Sequence, residues 1–269
     1  ALAKIAKVFI GAKRGAAVAI LKAENAEVTV FDGKCPAGNV RVHINHLLPV
    51  NKGEVVWTIG PEEVIFIGRF FKNGKVDFTR TIALAGSEIK NPQYRQVVVG
   101  QKIGDIIDGN INSDKKVRII DGNPLTGTKT SEENFLMAHS TEITAIPEGD
   151  DADEAFGWIM PRFKQFSSSR TYCSWLMGSK KEYVCDARIK GGYRHMIMSG
   201  EYDRVFPMDI MPEQLVKAII AGDIDKMEAL GIYEVAPEDF AVAEFVDSSK
   251  LELQRIVREG LDMLRKENE

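Results

Sequence analysis

Met196–Pro207 (MIMSGEYDRVFP) and Pro237–Ser248 (PEDFAVAEFVDS) decide how the last third of this chain is read. Each can be laid on the spacing Cys, two residues, Cys, two residues, Cys, three residues, Cys-Pro, whose thiolates hold iron–sulfur clusters. With Pro207 as the proline, the four positions of the first run fall on Met196, Ser199, Tyr202 and Phe206. Those of the second fall on Pro237, Phe240, Ala243 and Asp247. None of the eight is a cysteine. The expected reading is an electron-transfer scaffold that carries no cluster of its own.

Helices are expected around and after these runs. Pro212 opens one with Leu215, Val216, Ile219 and Ile220 on its apolar face, ended by Gly222. Asp223 caps a second, ended by Gly231. Ser249-Lys250-Leu251-Glu252 has the form of a capping box, with about 1 kcal/mol expected from the Ser249 cap. It precedes a long helix turning Leu253, Ile256, Val257, Leu261 and Leu264 inward. The pattern implies a small helical bundle. Strand-like runs at Phe156–Met160, Thr171–Met177 and Glu182–Ile189 are expected to precede it.

Toward the other end the texture differs. Lys7–Ile10 and Val28–Phe31 read as strands around a helical run at Ala16–Ala23, and a short helix is expected through His46. Val55–Ile59 reads as a further strand. Pro61-Glu62-Glu63 is a helix start; that helix gathers Val64, Ile67, Phe70 and Phe71 on one face and stops at Asn73-Gly74. Strand alternating with helix implies a small α/β layer. From Asp77 to Glu148 strands dominate, at Phe78–Ala85, Arg95–Val99, Val117–Ile120 and Thr141–Ile146, with a helix at Ile103–Asp108. Four strands and one helix suggest a β-grasp-like module, left through the linker Pro147–Asp151.

The 269 residues suffice for two or three compact units. Apolar and charged fractions of 44% and 28% are those of an ordinary globular protein, and a net charge of -4 gives no reason to expect nucleic acid. Cys35, Cys173 and Cys185 form no CxxC pair, which argues against a disulfide framework or zinc ribbon. No apolar run approaches the ~20 residues of a membrane-spanning helix, and no signal peptide is read. The chain starts at Ala1 almost directly on a strand, so an excised fragment of a longer subunit is expected.

Several motifs invite chemistry. Gly11–Gly15 (GAKRG) follows a strand but completes no phosphate-loop fingerprint, and reads as a turn. Gly122–Thr130 (GNPLTGTKT) is one residue out of register for a phosphate loop, and no apolar helix follows it. His43 and His46 could share a helix face, but no third ligand stands near them in sequence. Lys180, Lys181, Arg188, Lys190 and Arg194 form the densest basic region, either a solvated face or a docking face for an acidic partner. Phe156–Pro161 (FGWIMP) and Val205–Pro212 (VFPMDIMP) are core, or interface if exposed. No catalytic residue and no metal ligand is nominated, and the cofactor-binding residues are unknown.

An ordered set of short segments carries a family resemblance. It comprises Pro36-Ala37-Gly38, His43-Ile44, Val64–Phe71, Arg80–Gly86 (RTIALAG), Asn91-Pro92, Val99-Gly100, FGWIMP, Gly191-Gly192, Tyr202–Pro212, Ala221-Gly222-Asp223 and Leu230-Gly231. In this order they closely resemble the NqrA family of the bacterial Na⁺-translocating NADH:quinone oxidoreductase, without the family's N-terminal segment. That family is similar in turn to the RnfC component of the Rnf complex and to the flavin-bearing component of complex I. This sequence departs from the family at Cys35, where a histidine is expected, and in Val246–Lys250 (VDSSK).

The resemblance implies an α+β multidomain fold. Residues 1–76 would be a Rossmann-like α/β remnant lacking the glycine-rich flavin loop. Residues 77–149 would be a β-grasp domain of the soluble-ligand-binding type. Residues 150–269 would be a C-terminal β plus helical-bundle domain without iron–sulfur clusters. It also implies a peripheral subunit on the cytoplasmic face of the bacterial inner membrane, in a complex passing electrons from NADH to ubiquinone coupled to Na⁺ export. The complex uses NADH, flavins, iron centres and ubiquinone, none bound by this chain except ubiquinone as one option. Its partners are the other subunits, integral membrane ones included, and the isolated chain would be inactive. Two alternatives stay open: a stand-alone small-molecule-binding β-grasp module, and a pure assembly scaffold.

Overall fold

The computed structural model describes residues 2–112, 116–150, 156–157, 159–167, 170–178 and 180–269. In chain order its elements are strand β1 (Phe9–Lys13), helix α1 (Val18–Leu21), β2 (Glu27–Phe31), α2 (Val40–Leu47), α3 (Pro61–Asn73), β3 (Thr79–Ala85), β4 (Gln93–Val98), α4 (Ile103–Ile107), β5 (Val117–Asp121), β6 (Thr128–Thr130) and β7 (Glu142–Pro147). There follow α5 (Pro212–Ala221), α6 (Ile224–Ala229), α7 (Ala241–Val246) and α8 (Leu253–Asn268), with 3₁₀ turns at Cys173–Met177, Ile232–Glu234 and Pro237–Phe240. The architecture is mixed α/β. Among the described residues no helix is long and apolar enough to cross a membrane.

Two compact units result: Ala1–Thr58 with Gly191–Glu269, and Ile59–Lys190. The grouping differs from the sequence segments 1–76, 77–149 and 150–269, for a physical reason. Helix α2 packs on the C-terminal helices. Its Val42, 2% exposed, enters the core formed by Tyr202, Phe206, Leu215, Phe240 and Leu253. Polar contacts flank it: Asn39 Nδ2 donates to Asp239 Oδ1 at 2.8 Å, and Lys52 Nζ to Glu228 Oε1 at 2.8 Å.

In the first unit β1 and β2 pair in parallel, Phe9 opposite Glu27 through Lys13 opposite Phe31. The helical part rests on α8, which buries Leu253, Ile256, Val257, Gly260 and Leu264. An added Cβ at Gly260 would stand 2.9 Å from Ile219 of α5, so glycine sets the distance between the two helices. Gly222, in the left-handed region at φ 68°, ends α5, and Asp223 Oδ1 accepts from Lys226 N at 3.1 Å as the cap of α6. The expected Ser249 cap is corrected. Glu252 is the N-cap residue of α8 and makes no side-chain cap bond, and Glu244 Oε2 accepts from Gln254 N at 2.9 Å. Ser249, three positions before that N-cap, instead donates its Oγ to the His195 carbonyl at 3.1 Å.

In the second unit the sheet order is β4-β3-β7-β5-β6. β3 and β7 run parallel at its centre; the other pairs are antiparallel. Period-2 alternation puts Arg80, Ile82 and Leu84 of β3 inward, beneath α4, whose Ile103, Ile106 and Ile107 are buried. The sequence reading found four of these five strands. It missed β6, three residues closing a hairpin. Glu148, read as linker, is buried at the end of β7, where its carboxylate accepts from Arg118 Nε at 2.9 Å and Lys129 Nζ at 3.2 Å.

That ion pair sets a pH dependence. The hydrogen bond from Arg118, then that from Lys129, holds the Glu148 carboxyl at about 2. A carboxyl depressed in the folded state stabilises fully above its unfolded value, and the contribution is lost as pH falls through the folded one. Urea midpoints of the wild type are therefore expected to drop between pH ~4.5 and ~2 more steeply than those of Glu148→Gln. Parallel profiles would show that Glu148 is not the group.

Other expected strands are corrected. Among the described residues, 156–190 contain no strand: Cys173–Met177 is a 3₁₀ turn and 182–189 is irregular. Trp158, inside the run expected at Phe156–Met160, and Asp151 of the expected linker lie outside the described residues. Val55–Ile59 is not a strand either, and its Trp57 is 92% exposed. β-rich composition marks side chains that suit a pleated surface; without a neighbouring strand it builds no ladder.

Candidate functional site

The eight cluster-type positions gather in the helical part of the first unit. Tyr202 and Phe240 are fully buried, Ala243, Asp247, Pro237 and Phe206 are buried, and Met196 packs against the same core. In two-cluster proteins the fourth ligand of each run serves the other run's cluster. The structure pairs these positions in that crossed way. Phe206, fourth of the first run, packs on Phe240, second of the second run, with ring centroids 4.8 Å apart. Tyr202, third of the first run, lies beside Asp247, fourth of the second.

Carboxylates hold the loops at these slots. Glu213 Oε1 accepts from Ser199 N at 3.1 Å, Ser199 Oγ at 2.9 Å and Gly200 N at 2.7 Å. Asp247 accepts from Ser249 N at 3.1 Å and Leu251 N at 2.8 Å. Asp239 accepts from Ala236 N at 2.9 Å, and burial pushes its carboxyl up. The Tyr202 hydroxyl is buried without a hydrogen bond of good geometry. Burial, then the neighbouring Asp247 carboxylate, pushes its ionisation far up, so it stays a neutral phenol. These residues do not fit an iron–sulfur cluster. The donors are a thioether, a hydroxyl, a phenol and a carboxylate rather than thiolates, and two phenyl rings in contact fill the second slot.

A concavity lies in the other unit, a half-open cleft of about 430 Å³ beside α4 and β5. Ile107, Ile111, Val117 and Ile119 give it apolar walls, while Lys90, Asn112 and Glu132 supply polar groups. Asn110 holds its rim together, accepting from Asn91 N at 2.9 Å and donating to the Asn91 carbonyl at 3.0 Å. Sequence reasoning missed this cleft, because its residues are brought together by long-range contacts such as the bridges Ile89 to Ile111 and Lys102 to Phe135 and the hydrogen bond from Gly104 N to the Glu132 carbonyl at 2.9 Å.

The other motifs separate. His43 stacks on Phe31 at 4.1 Å over Gly11, where an added Cβ would sit 2.2 Å from the imidazole, and its Nε2 lies 3.1 Å from the Ala37 carbonyl. Burial lowers its pKa, against that hydrogen bond. His46 Nδ1 bonds the Val42 carbonyl at 2.8 Å within its own helix. Among the described residues no three His, Cys, Asp or Glu are grouped as metal ligands. GNPLTGTKT is the β5–β6 hairpin, where Asn123 Oδ1 accepts from Leu125 N and Thr126 N, so the loop's own side chain takes these amides. The three cysteines are free, Cys35 and Cys185 exposed. Arg188 and Lys190 both bind Asp186, which dilutes the basic cluster. In VFPMDIMP, Phe206 and Met208 are core and Met211 is exposed; in FGWIMP, Phe156, Ile159 and Met160 are exposed.

Comparison with known proteins agrees with the sequence resemblance. Residues 1–76 match the family described as NqrA second alpha/beta domain, and residues 81–132 match NQRA C-terminal domain. Proteins named as the A subunit of Na(+)-translocating NADH-quinone reductase are similar along most of the chain. The Rhodopirellula baltica protein is 37% identical over 238 residues, 88% of this chain and 52% of the relative. Those of Vibrio atlanticus and Neisseria meningitidis serogroup B are each 35% identical over 262 residues, 97% of this chain and 58% of the relative. The chain thus spans little more than half the length of these curated relatives. Both its domain matches and its relatives thus make the chain similar, along most of its length, to the NqrA family of Na⁺-translocating NADH-quinone reductase.

Proposed function

We propose that this chain serves as a peripheral scaffold subunit of a Na⁺-translocating NADH:quinone reductase, carrying no redox group and working with that complex's other subunits, membrane-embedded ones included, on the cytoplasmic face. The crossed pairs Phe206–Phe240 and Tyr202–Asp247 carry this reading: the slots that would hold clusters are occupied by packed and hydrogen-bonded side chains. The parallel β1–β2 pair supports a Rossmann-like remnant in 1–76. The β4-β3-β7-β5 order with its central parallel pair supports a β-grasp domain in 77–149. A C-terminal domain from 150 remains our division of the chain into modules.

The cleft favours a second element, contact with a small apolar molecule. Ile107, Ile111, Val117 and Ile119 offer apolar contact in a lining that is about as polar as it is apolar, and Lys90 and Asn112 can donate to the carbonyl oxygens of a quinone. Association with the other subunits and titration with short-chain ubiquinone by calorimetry test both parts. The scaffold reading expects co-purification with the complex, and neither iron nor acid-labile sulfide in the chain alone. Stoichiometric iron with sulfide would overturn it. Saturable ubiquinone binding weakened by Lys90→Gln supports the cleft, and binding to ubiquinone without association with any subunit favours the stand-alone module.

A further inference from the structure

Arg80 is a buried cation, 5% exposed, turned inward from β3. A buried guanidinium is stable only where both its charge and its donors are answered. Its Nη1 donates to the Ala138 carbonyl at 2.6 Å, and Glu62, in the first turn of α3, pairs with its Nη2. A second carboxylate is close. Asp121, at the end of β5 and 3% exposed, attracts the same guanidinium. Its Oδ2 accepts from Met137 N at 2.9 Å. Asp121 Oδ1 and Arg80 Nε are both buried without a hydrogen-bond partner. The guanidinium thus holds one carboxylate and has another in reserve, with a free donor and a free acceptor to join them.

Arg80 and Asp121 grip consecutive residues of one segment, which leads from β6 toward β7. Its earlier part is stitched to α4 and the residues before that helix. Gly104 N donates to the Glu132 carbonyl, Ile103 N to the Asn134 carbonyl and Leu136 N to the Gln101 carbonyl, each at 2.9 Å. Gly104 permits the approach, since an added Cβ would stand 3.0 Å from the Glu132 oxygen. Glu132 lines the cleft. One wall of the cleft is therefore held by α4 at its start and by Arg80 and Asp121 at its end. We infer that Arg80 is a two-position pin that couples α3 to this wall. With Glu62 in place the guanidinium reaches Ala138, and the wall is fixed. When Glu62 withdraws, the guanidinium turns to Asp121 Oδ1 and gives up Ala138, and the wall loosens. Each arrangement answers the buried charge and the path between them does not, so the element has two states. The value of the pin rests on the cleft being a ligand seat; the pin itself rests on buried contacts inside one unit.

Amide hydrogen exchange of the full chain tests the pin without any ligand. Glu62→Gln removes the charge and keeps the shape. Exchange at Ile103, Gly104, Leu136 and Met137, whose amides hold the segment, is expected to quicken about tenfold or more. The amides of β4 and α8 should keep their wild-type rates. Unchanged exchange at the four amides overturns the inference. So does quickening shared equally by the whole unit, which a general loss of packing would give. Asp121→Asn can still accept from Met137 but no longer attracts a cation. Combined with Glu62→Gln it leaves the guanidinium buried with no carboxylate, so the melting point of the double variant should fall by more than the sum of the single shifts. Additive shifts would deny the shared guanidinium. Glu62→Gln is further expected to weaken short-chain ubiquinone binding about fivefold, although Glu62 does not line the cleft. Unaltered binding in a variant with quickened exchange overturns the coupling to the cleft. A wild type that binds no ubiquinone defeats the quinone reading, and the exchange result still decides the pin.

Discussion

Phe240→Ala is expected to cost the first unit about 3–5 kcal/mol, the range for removing a buried phenyl ring from a core that cannot collapse around the gap. The ring is fully buried and packs on Phe206 at 4.8 Å. The double variant with Phe206→Ala should cost less than the sum of the singles, because either deletion already removes the ring–ring contact. Urea unfolding monitored on the helical signal measures both. A cost below ~1 kcal/mol would mean that the slot tolerates an empty volume. That outcome would remove the main support for a packed, cluster-free helical part.

Gly86→Ala is expected to be comparably severe, for a backbone reason. Gly86 has φ 108° where β3 leaves its partner β7, and an added Cβ would sit 2.1 Å from the Ala145 carbonyl oxygen. Strain in the left-handed half of the map costs roughly 1–3 kcal/mol by itself. Here the obstacle is also main chain, which cannot rotate away as a side chain does. Gly109→Ala makes the control, since Gly109 has φ 67° and open space at the added Cβ. Thermal melting of Gly86→Ala should fall roughly 10 °C or more, against a few degrees for Gly109→Ala. Equal shifts would show that the Ala145 contact relaxes freely.

What the sequence disclosed and what it hid follow from how local each signal is. Helix ends at Gly74 and Gly222 were legible because a left-handed residue stops a helix on its own account. β3, β4, β5 and β7 were legible because β-rich runs between turn residues found partners in one sheet. The runs at 171–177 and 182–189 had the same composition and pair with no strand among the described residues, so Cys173–Met177 forms a 3₁₀ turn and 182–189 is irregular. The Ser249 box failed because Glu244, ten residues before Gln254, supplies the cap that the local pattern ascribed to serine. For α3 the apolar face was legible from its spacing, whereas the contacts of its charged side with Arg80 and His139, far along the chain, were not. The lack of thiols at the eight slots was visible from the sequence. The crossed pairing that joins four of them, and the cleft at Lys90 and Asn112, required the fold.

The discontinuity of the first unit governs how the protein is made. Residues 59–190 are contiguous and can complete their sheet as soon as they leave the ribosome, whereas Val42 must wait for Tyr202 and the helices beyond it. At roughly 5–20 residues per second that wait lasts on the order of ten seconds or more. Throughout it the apolar side of α2 stands uncovered in the cell. The nascent chain is therefore exposed to chaperones and proteases through α2, although that helix finishes in the larger of the two hydrophobic cores.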